Sequence, residues 1–480
     1  MLENFLAAPT KANINALLLI YFSAVAVLLM YQWRSKRAVG LPLAYAFGFS
    51  MMHVTAAFVY GLPQYTPKSE ILVQNSASLL NTVTGFRVAC FGFVFFVLGV
   101  LISRFLFSKD PAPKAFQADR RLTSQFPGTL LIISFLAFFA APILRRIPSM
   151  GSMATAGAYI SVIAVFLYCL MSYRQKKLPR LGLGLVSTMG FPFVTIIFLG
   201  FAGYGASAAT FVWTLVLRFF RPRWLSLIVL GVIVYAGLTF YVNWMRERDQ
   251  IRTSVWGEQS FGHRFDRVMG LVENFELLSW EKQYHLELID LRLNQNDLVG
   301  KAVLNLQRGR VDYAHGYTMM VAAVAWIPRI IWPGKPVTGG SGDVVTHFTG
   351  QRFAEGTSVG AGQAMEFFIN FGWLGTCLGF LGMGIAISWF DRRGAFYLEH
   401  GDYWSATRWL LPGLGLMQPG GLLAECTGSV AAYAVFATIL HHALFKKYYD
   451  MGALVQHARA AYAAPEAIPA KPAARQRYLE

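Results

Sequence analysis

Eleven apolar runs, each close to the length that crosses a bilayer, divide this chain, and only one interval between them is long. A membrane-spanning helix needs about 20 largely apolar residues. Such runs lie at 14–33, 40–62, 81–105, 127–144, 153–173, 182–199, 203–219, 224–244, 365–390, 407–421 and 425–445. The run at 407–421 is short and carries Pro412 and Pro419, so a kinked or re-entrant segment is the alternative there. Only 14% of the residues are charged and mean hydropathy is +0.44, whereas soluble domains carry roughly 25% charge. The expected fold is an all-α polytopic membrane protein of about 11 spans with one large extracytoplasmic loop containing short helices. The first run has no basic region before it and no small-residue cleavage site after it, so it reads as a retained span.

The basic loops predict the orientation. Arg34, Lys36 and Arg37 follow the first run, Lys109, Lys114, Arg120 and Arg121 the third, and Arg174, Lys176, Lys177 and Arg180 the fifth. Arg218, Arg221 and Arg223 follow the seventh, Arg392 and Arg393 the ninth, and Lys446 and Lys447 the last. If the spans alternate, all six groups fall on one side, with Arg145 and Arg146 as the exception on the other. By the positive-inside rule that side is cytoplasmic, which puts the N-terminus outside and the C-terminus inside. The chain then divides into an N-terminal membrane region of about 8 spans (1–244), the loop (245–364), a C-terminal membrane region of about 3 spans (365–450) and a basic tail (451–480). The tail is rich in Ala and Pro, lacks apolar bulk, and is expected to be disordered.

The net charge of +17 resembles a nucleic-acid signal only in total. The loop holds 13 basic and 13 acidic residues and is neutral; the excess lies in the short basic loops and the tail. That is membrane topology, not a nucleic-acid footprint. Cys90, Cys169, Cys377 and Cys426 all lie in or beside apolar runs, so neither a disulfide framework nor a thiol zinc site is expected.

The chemistry is expected in the loop and where it meets the spans. Residues 273–306 carry apolar positions near helical spacing (Leu277, Leu278, Trp280, Tyr284, Leu288, Leu291), which predicts an amphipathic helix packed on the membrane region. Residues 317–332 are apolar but too short to span, and Pro328 breaks them; a short helix dipping toward the membrane puts Arg329 and Lys335 at headgroup height. The Gly-rich run 338–343 reads as a mobile loop or lid. Arg264, Arg308, Arg310, Arg329, Arg352 and Lys335 form a set suited to a diphosphate, because guanidinium holds phosphate oxygens in a planar fork; ion pairing with the equal number of carboxylates is the alternative for any one of them. No H-x-x-x-H, H-E-x-x-H or phosphate-loop motif appears, so no metal and no cofactor is expected. Glu366, Arg87 and Glu425 are charges at span ends that are expected near one cavity, with interfacial snorkelling as the alternative for Arg87 and structural pairing for Glu425.

Two segments carry a family resemblance. Ile327-Pro-Arg-Ile-Ile-Trp332-Pro-Gly-Lys335-Pro, followed by Gly362-Gln-Ala-Met-Glu366-Phe-Phe-Ile-Asn370-Phe-Gly372-Trp-Leu-Gly375, resembles the bacterial O-antigen polymerases, also called oligosaccharide repeat-unit polymerases. The long outer loop ahead of the last spans is similar too. The resemblance covers about 60 residues in motif terms and the whole chain in topology. It implies a metal-independent membrane glycosyltransferase of the GT-C type in the bacterial cytoplasmic membrane. Its substrates are undecaprenyl-diphosphate-linked oligosaccharides, and a chain-length regulator and a flippase of the same pathway are its implied partners. In that reading Arg264, Arg310, Arg329 and Lys335, with Arg308 and Arg352, bind diphosphate. His315 is the first choice to take the acceptor proton, with Glu366 second and Asp312 third. An O-antigen ligase, a polysaccharide or lipid transporter and a non-catalytic scaffold are the rival readings.

Overall fold

Helices make up all the regular structure of the described residues. The structure is a computed structural model that describes residues 9–445 except 36, 108–119, 145, 147–149, 258, 330, 337–339 and 354–358. The tail 451–480, expected to be disordered, lies outside them.

In chain order the helices are α1 (Lys11–Arg34), α2 (Leu41–Gly61), α3 (Glu70–Gln74), α4 (Leu79–Leu106), α5 (Arg120–Leu144), α6 (Gly151–Arg174), α7 (Leu178–Ser187), α8 (Gly190–Leu199) and α9 (Ala202–Leu217). They continue with α10 (Arg223–Trp256), α11 (Phe261–Glu273), α12 (Gln283–Leu293), α13 (Gln295–Gln307), α14 (Tyr317–Val324), α15 (Ser341–Thr349), α16 (Gly362–Glu399), α17 (Tyr403–Gly415) and α18 (Leu423–Leu440). Among the described residues, nine helical stretches are long and apolar enough to cross a membrane. The protein is therefore an all-α, multi-pass membrane protein. Two runs read as spans from the sequence are shorter: α9 has 16 residues, and α17 has 13 before the chain turns irregular over 416–422. The run at 182–199 is divided between α7 and α8.

α4 is the central helix, and glycine is what lets its neighbours approach. Gly85, Gly92 and Gly99 recur every seven residues, which lines them along one face of a helix. A Cβ at Gly85 would strike the backbone of Asn296 in α13, one at Gly92 the ring of Phe380 in α16, and one at Gly99 the carbonyl of Leu381. The partners reciprocate: Gly300 of α13 faces the carbonyl of Asn81, and Gly384 of α16 that of Phe96. Lipid tails are as apolar as leucine, so helices in a bilayer gain from close backbone packing rather than from leaving water. Aromatic rings fill what remains: Tyr45 stacks on Phe96 at 4.6 Å, and Phe380 meets Phe49 at 5.5 Å and Phe367 at 5.2 Å, both edge to face.

The basic end of the bundle is tied by a buried carboxylate. Asp391 of α16 is 1% exposed, and its Oδ1 accepts the backbone N–H groups of Val39 (3.0 Å), Gly40 (2.7 Å) and Leu41 (2.9 Å) at the start of α2. A carboxylate there satisfies donors that the first helical turn leaves open and faces the positive end of the helix dipole.

The polar interval departs from the expected outline in three places. α10 runs 34 residues, so the first dozen residues of the interval extend that helix instead of starting a loop. The helix expected over 273–306 is two helices. Asn294 separates them because its side chain accepts the Asp297 N–H (3.2 Å) and so caps α13, while its Nδ2 donates to Asp290 Oδ1 (2.6 Å) and Thr82 (3.0 Å). Residues 274–279 are not helical: Asn243 of α10 exchanges hydrogen bonds with the Glu276 backbone (2.8 and 2.9 Å), and the Tyr235 hydroxyl donates to the Leu278 carbonyl (3.0 Å). The helix expected over 317–332 stops at Val324, short of Pro328, and Lys335 Nζ donates to the freed carbonyls of Ala325 (2.9 Å) and Ile327 (2.8 Å). In the Gly-rich run, Thr338 and Gly339 lie outside the described residues, and Ser341 begins α15.

Gly300→Ala is expected to destabilise the folded protein by about 1–3 kcal/mol through overpacking, read as an earlier midpoint in thermal unfolding in detergent. Gly382→Ala, on a face of α16 with nothing within 4 Å, is expected to leave the midpoint unchanged or raise it.

Candidate functional site

The start of α16 is the place where irregular backbone and buried polar side chains meet. Gly362 N–H donates to Gly420 O (3.0 Å) and Gln363 N–H to Pro419 O (3.1 Å), so the irregular stretch between α17 and α18 is paired with the first turn of α16. Gln295 Nε2 donates to Gly360 O (3.0 Å). Gln363 accepts the Tyr45 hydroxyl (2.5 Å) and donates to Gln418 O (3.2 Å). Non-helical backbone within a membrane domain persists only where protein groups satisfy it, and these amides do so.

Glu366 lies one turn further on, fully buried. Its Oε2 accepts the Leu423 N–H at the first turn of α18 (2.5 Å), and its Oε1 is buried without a hydrogen-bond partner. Ser341, at the start of α15, donates to Glu425 Oε1 (3.4 Å) and accepts the Ala361 N–H (3.5 Å). Three helix N-termini, those of α15, α16 and α18, thus converge around Glu366 and Glu425, where their dipoles favour negative charge.

The segment carrying His315 is docked on this junction. Ala314 N–H donates to Ile369 O (2.8 Å), Gly316 N–H to Asn370 Oδ1 (2.9 Å), and Asn370 Nδ2 to Thr318 Oγ1 (2.7 Å) and Glu366 O (2.7 Å). α16 is broken just beyond Asn370: Phe371 leaves the helical region, and Gly372 has φ 59°, ψ −137°. The break turns the Phe371 ring against Gly316, where an added Cβ would stand 3.0 Å from it. His315 has φ 45°, unusual for a residue with a side chain, and its exposed ring lies 6.4 Å from that of Tyr313.

The six basic candidates divide by location. Arg308 ends α13, and Arg310 follows two residues later; both side chains are exposed. Neither they nor Arg352, His315 or Asp312 makes a side-chain hydrogen bond or ion pair among the described residues. Ion pairs of the interval are formed by Arg246 with Glu276 and Glu247 (3.2 and 3.5 Å), Lys282 with Glu276 (2.9 Å), Arg248 with Asp249 (3.3 Å) and Lys301 with Asp297 (2.5 Å). Arg329 is exposed and donates to Pro333 O (3.4 Å). Lys335 caps α14 as described, and desolvation together with nearby Arg329 lowers its pKa. Arg264 sits apart from this group. It lies on α11, which packs on α8 and α10, and it donates to Gln259 O (2.7 Å). Arg87 stacks on Trp373 (5.0 Å), one residue beyond Gly372, and shares no contact with Glu425. Gln363, Asn370, Thr318 and Gln295 complete the junction. For Gln363 and Asn370 the sequence signal was faint, polar residues three before and four after Glu366 inside an apolar run; Thr318 and Gln295 reach the junction from α14 and α13.

A second buried network fixes α12 and α13 to the bundle. Asp290 accepts Tyr60 (2.9 Å), Tyr65 (2.5 Å) and Asn294 (2.6 Å). His53 Nδ1 lies 2.7 Å from Asn296 Oδ1, and Asn296 Nδ2 donates to His53 O (2.7 Å). Asn81 donates to Asp297 (3.0 Å). This network holds the helices whose end presents Arg308 and Arg310. Burial pushes the Asp290 carboxyl up to about 6 despite its three donors, and burial likewise raises Asp297. On the surface, the Tyr284 hydroxyl and the Lys282 ammonium hold Glu276 down at about 2.

Fold and site together define a multi-pass helical membrane protein whose polar interval closes over a buried carboxylate at a junction of helix ends. The chain belongs to the family described as a domain of unknown function, DUF8712, whose model matches residues 46–390. The match begins within α2 and ends within α16, and so takes in the glycine-lined α4, the polar interval and Glu366. No curated protein and no solved structure matches the chain.

Because the folded state favours protonated Asp290, stability is expected to be full below the unfolded value of 3.8 and to fall as pH rises through about 6. Asp290→Asn is expected to flatten the thermal-unfolding midpoint across that window, and an unchanged slope would assign the pH dependence to another group.

Proposed function

We propose that this protein polymerises undecaprenyl-diphosphate-linked oligosaccharide repeat units into a surface polysaccharide at the outer face of the bacterial cytoplasmic membrane. In this reading the polar interval and the N-terminus face outward and the basic loops face the cytoplasm. The observation that carries it is the set Arg308, Arg310 and His315, exposed and without ion pairs among the described residues, on a segment docked over the Glu366 junction. Arg329 and Lys335 follow α14, which packs on α18 and α16 beside that junction.

The chemistry needs no nucleotide, because the sugar already carries its leaving group. An acceptor hydroxyl attacks the anomeric carbon of the donor sugar. The bond from that carbon to the diphosphate oxygen breaks, and the lipid diphosphate departs with the electron pair. Arg310, Arg308 and Arg329 neutralise charge gathering on the diphosphate, an electrostatic effect that is strongest from preorganised donors. His315 takes the acceptor proton as general base. Asn370 positions the turn that carries His315: it accepts the Gly316 N–H, and its Nδ2 donates to Thr318 and the Glu366 backbone carbonyl. Arg352 and Asp312 are assigned outer substrate contacts, whereas Arg264, on α11 against α8 and α10, is left out of the site. A chain-length regulator and a flippase are the proposed partners.

The test uses purified protein with a lipid-diphosphate-linked repeat unit, without nucleotide and with chelator present. A product ladder with released lipid diphosphate is expected from wild type. Arg310→Ala and Arg329→Ala are expected to lower it about 100-fold or more while eluting and melting like wild type. Normal polymer from either variant would remove that residue from the site. Release only on addition of a lipid A core acceptor would identify a ligase, and substrate movement without release a transporter.

A further inference from the structure

A row of exposed rings leaves the membrane-crossing helices and runs onto α11. Phe135 and Phe139 of α5 pack together at 4.6 Å, Phe139 meets Phe198 of α8 at 6.3 Å, Phe198 meets Phe261 at 6.1 Å, and Phe261 stacks on Phe265 at 6.2 Å. All five are exposed, from 41% at Phe198 to 63% at Phe135. α5 and the α7–α8 stretch are long and apolar enough to cross a bilayer, whereas α11 has 13 residues and is too short.

The three sides of α11 differ. Val268 and Leu271 are buried in one cluster with Ile196 and Ile197 of α8 and Ile251 and Val255 of α10. Phe261, Phe265 and Met269 recur every four residues, which sets them along one flank of a helix, and all three are exposed. His263, Asp266, Arg267 and Glu273 take the third side, where a cleft of about 390 Å3 is shared with Glu247 and Gln250 of α10. Arg267 donates to Gln250 Oε1 (3.4 Å). The buried side and this hydrogen bond fix the rotation of the helix, so the apolar flank is held outward and the charged side away from it.

An amphipathic helix with one apolar flank and one charged side lies in the plane of a membrane interface. The neighbouring rings mark that level. Trp256 ends α10 five residues before Phe261, and Tyr204 lies in the first turn of α9; both are exposed, and each meets Phe201 at 5.9 Å. Trp and Tyr gather at the headgroup level of a bilayer, where one part of the ring is apolar and the other wet. A protein covering the flank of α11 would have to continue over Phe139 and Phe135 into the bilayer, because the row is unbroken. Lipid covers both.

We propose that α11 lies in the plane of the leaflet at the polar-interval end of the bundle, with Phe261, Phe265 and Met269 among acyl chains and its charged side facing water. The seating puts the cleft between α10 and α11 at headgroup height. It holds for either orientation of the termini and does not rest on the proposed catalysis.

The test places a nitroxide on single cysteines of the full-length protein in nanodiscs of phosphatidylethanolamine and phosphatidylglycerol. Electron paramagnetic resonance reads its collisions with oxygen, which concentrates among acyl chains, and with a water-soluble nickel chelate. The background is Cys377→Ala, since the other three cysteines are buried. Labels at Phe265→Cys and Met269→Cys are expected to show an oxygen-to-chelate ratio severalfold above that of a label at Asp266→Cys on the charged side. The two apolar positions report separately, and each variant is first matched to wild type in elution and thermal unfolding. Equal ratios on the two sides would overturn the proposal by placing the flank in water. Few collisions with either reagent at 265 and 269 would overturn it as well, by placing a partner or a second copy of the chain over the flank.

Discussion

The backbone contact of α4 with α13 and α16 is the constraint on which the rest of this structure depends. It exists because three glycines at seven-residue spacing leave one face of α4 without side chains. Through it, a helix that is apolar enough to span is joined both to another such helix and to a polar one. α13 carries Asn296 and Asp297 into the protein against His53 and Asn81, and such groups are tolerated there only because each finds a partner. A small side chain on the glycine face would push α13 outward and strand those amides and carboxylates.

The same economy explains the unusual placement of charge. Two carboxylates of the membrane-crossing helices, Glu366 and Asp391, are buried, and each receives a helix N-terminus. Glu366 receives the first turn of α18, and Asp391 receives that of α2. Both are on α16, toward opposite ends. Buried carboxylates are expensive in such surroundings, and here the expense is offset by donors that helix N-termini leave open. The exposed arginines of the polar interval are the contrary case, since no carboxylate among the described residues pairs with Arg308, Arg310 or Arg352.

Much of this architecture could be read from the chain, because span length and apolar content are local properties that a bilayer enforces. The membrane class and most of the long helices were legible on those grounds. What was not legible depends on distant partners. No local pattern shows that Asn294 caps a second helix while reaching Thr82, so residues 273–306 read as one helix. α14 ends at Val324, ahead of Pro328, and Lys335 returns across ten and eight residues to take the Ala325 and Ile327 carbonyls that follow it. Of the basic candidates, sequence grouped Arg264 with Arg310 because both are in the same polar interval, yet α11 packs on α8 and α10. Nothing local marks Asp391, beside two arginines of an ordinary basic loop, as the acceptor for the first turn of α2, 350 residues away.

The break in α16 at Phe371–Gly372 divides one long helix into two pieces with different partners. Beyond Gly372 the helix packs on α4 through Phe380 and Gly384. The nine residues from Gly362 to Asn370 are all buried, and besides the packing of Phe367 on Phe380 they hold hydrogen bonds to the 416–423 stretch and to Ala314–Thr318. The outer piece is thereby a joint: a displacement of the His315 turn is carried through Asn370 to α16 and through the Glu366 side chain to the start of α18.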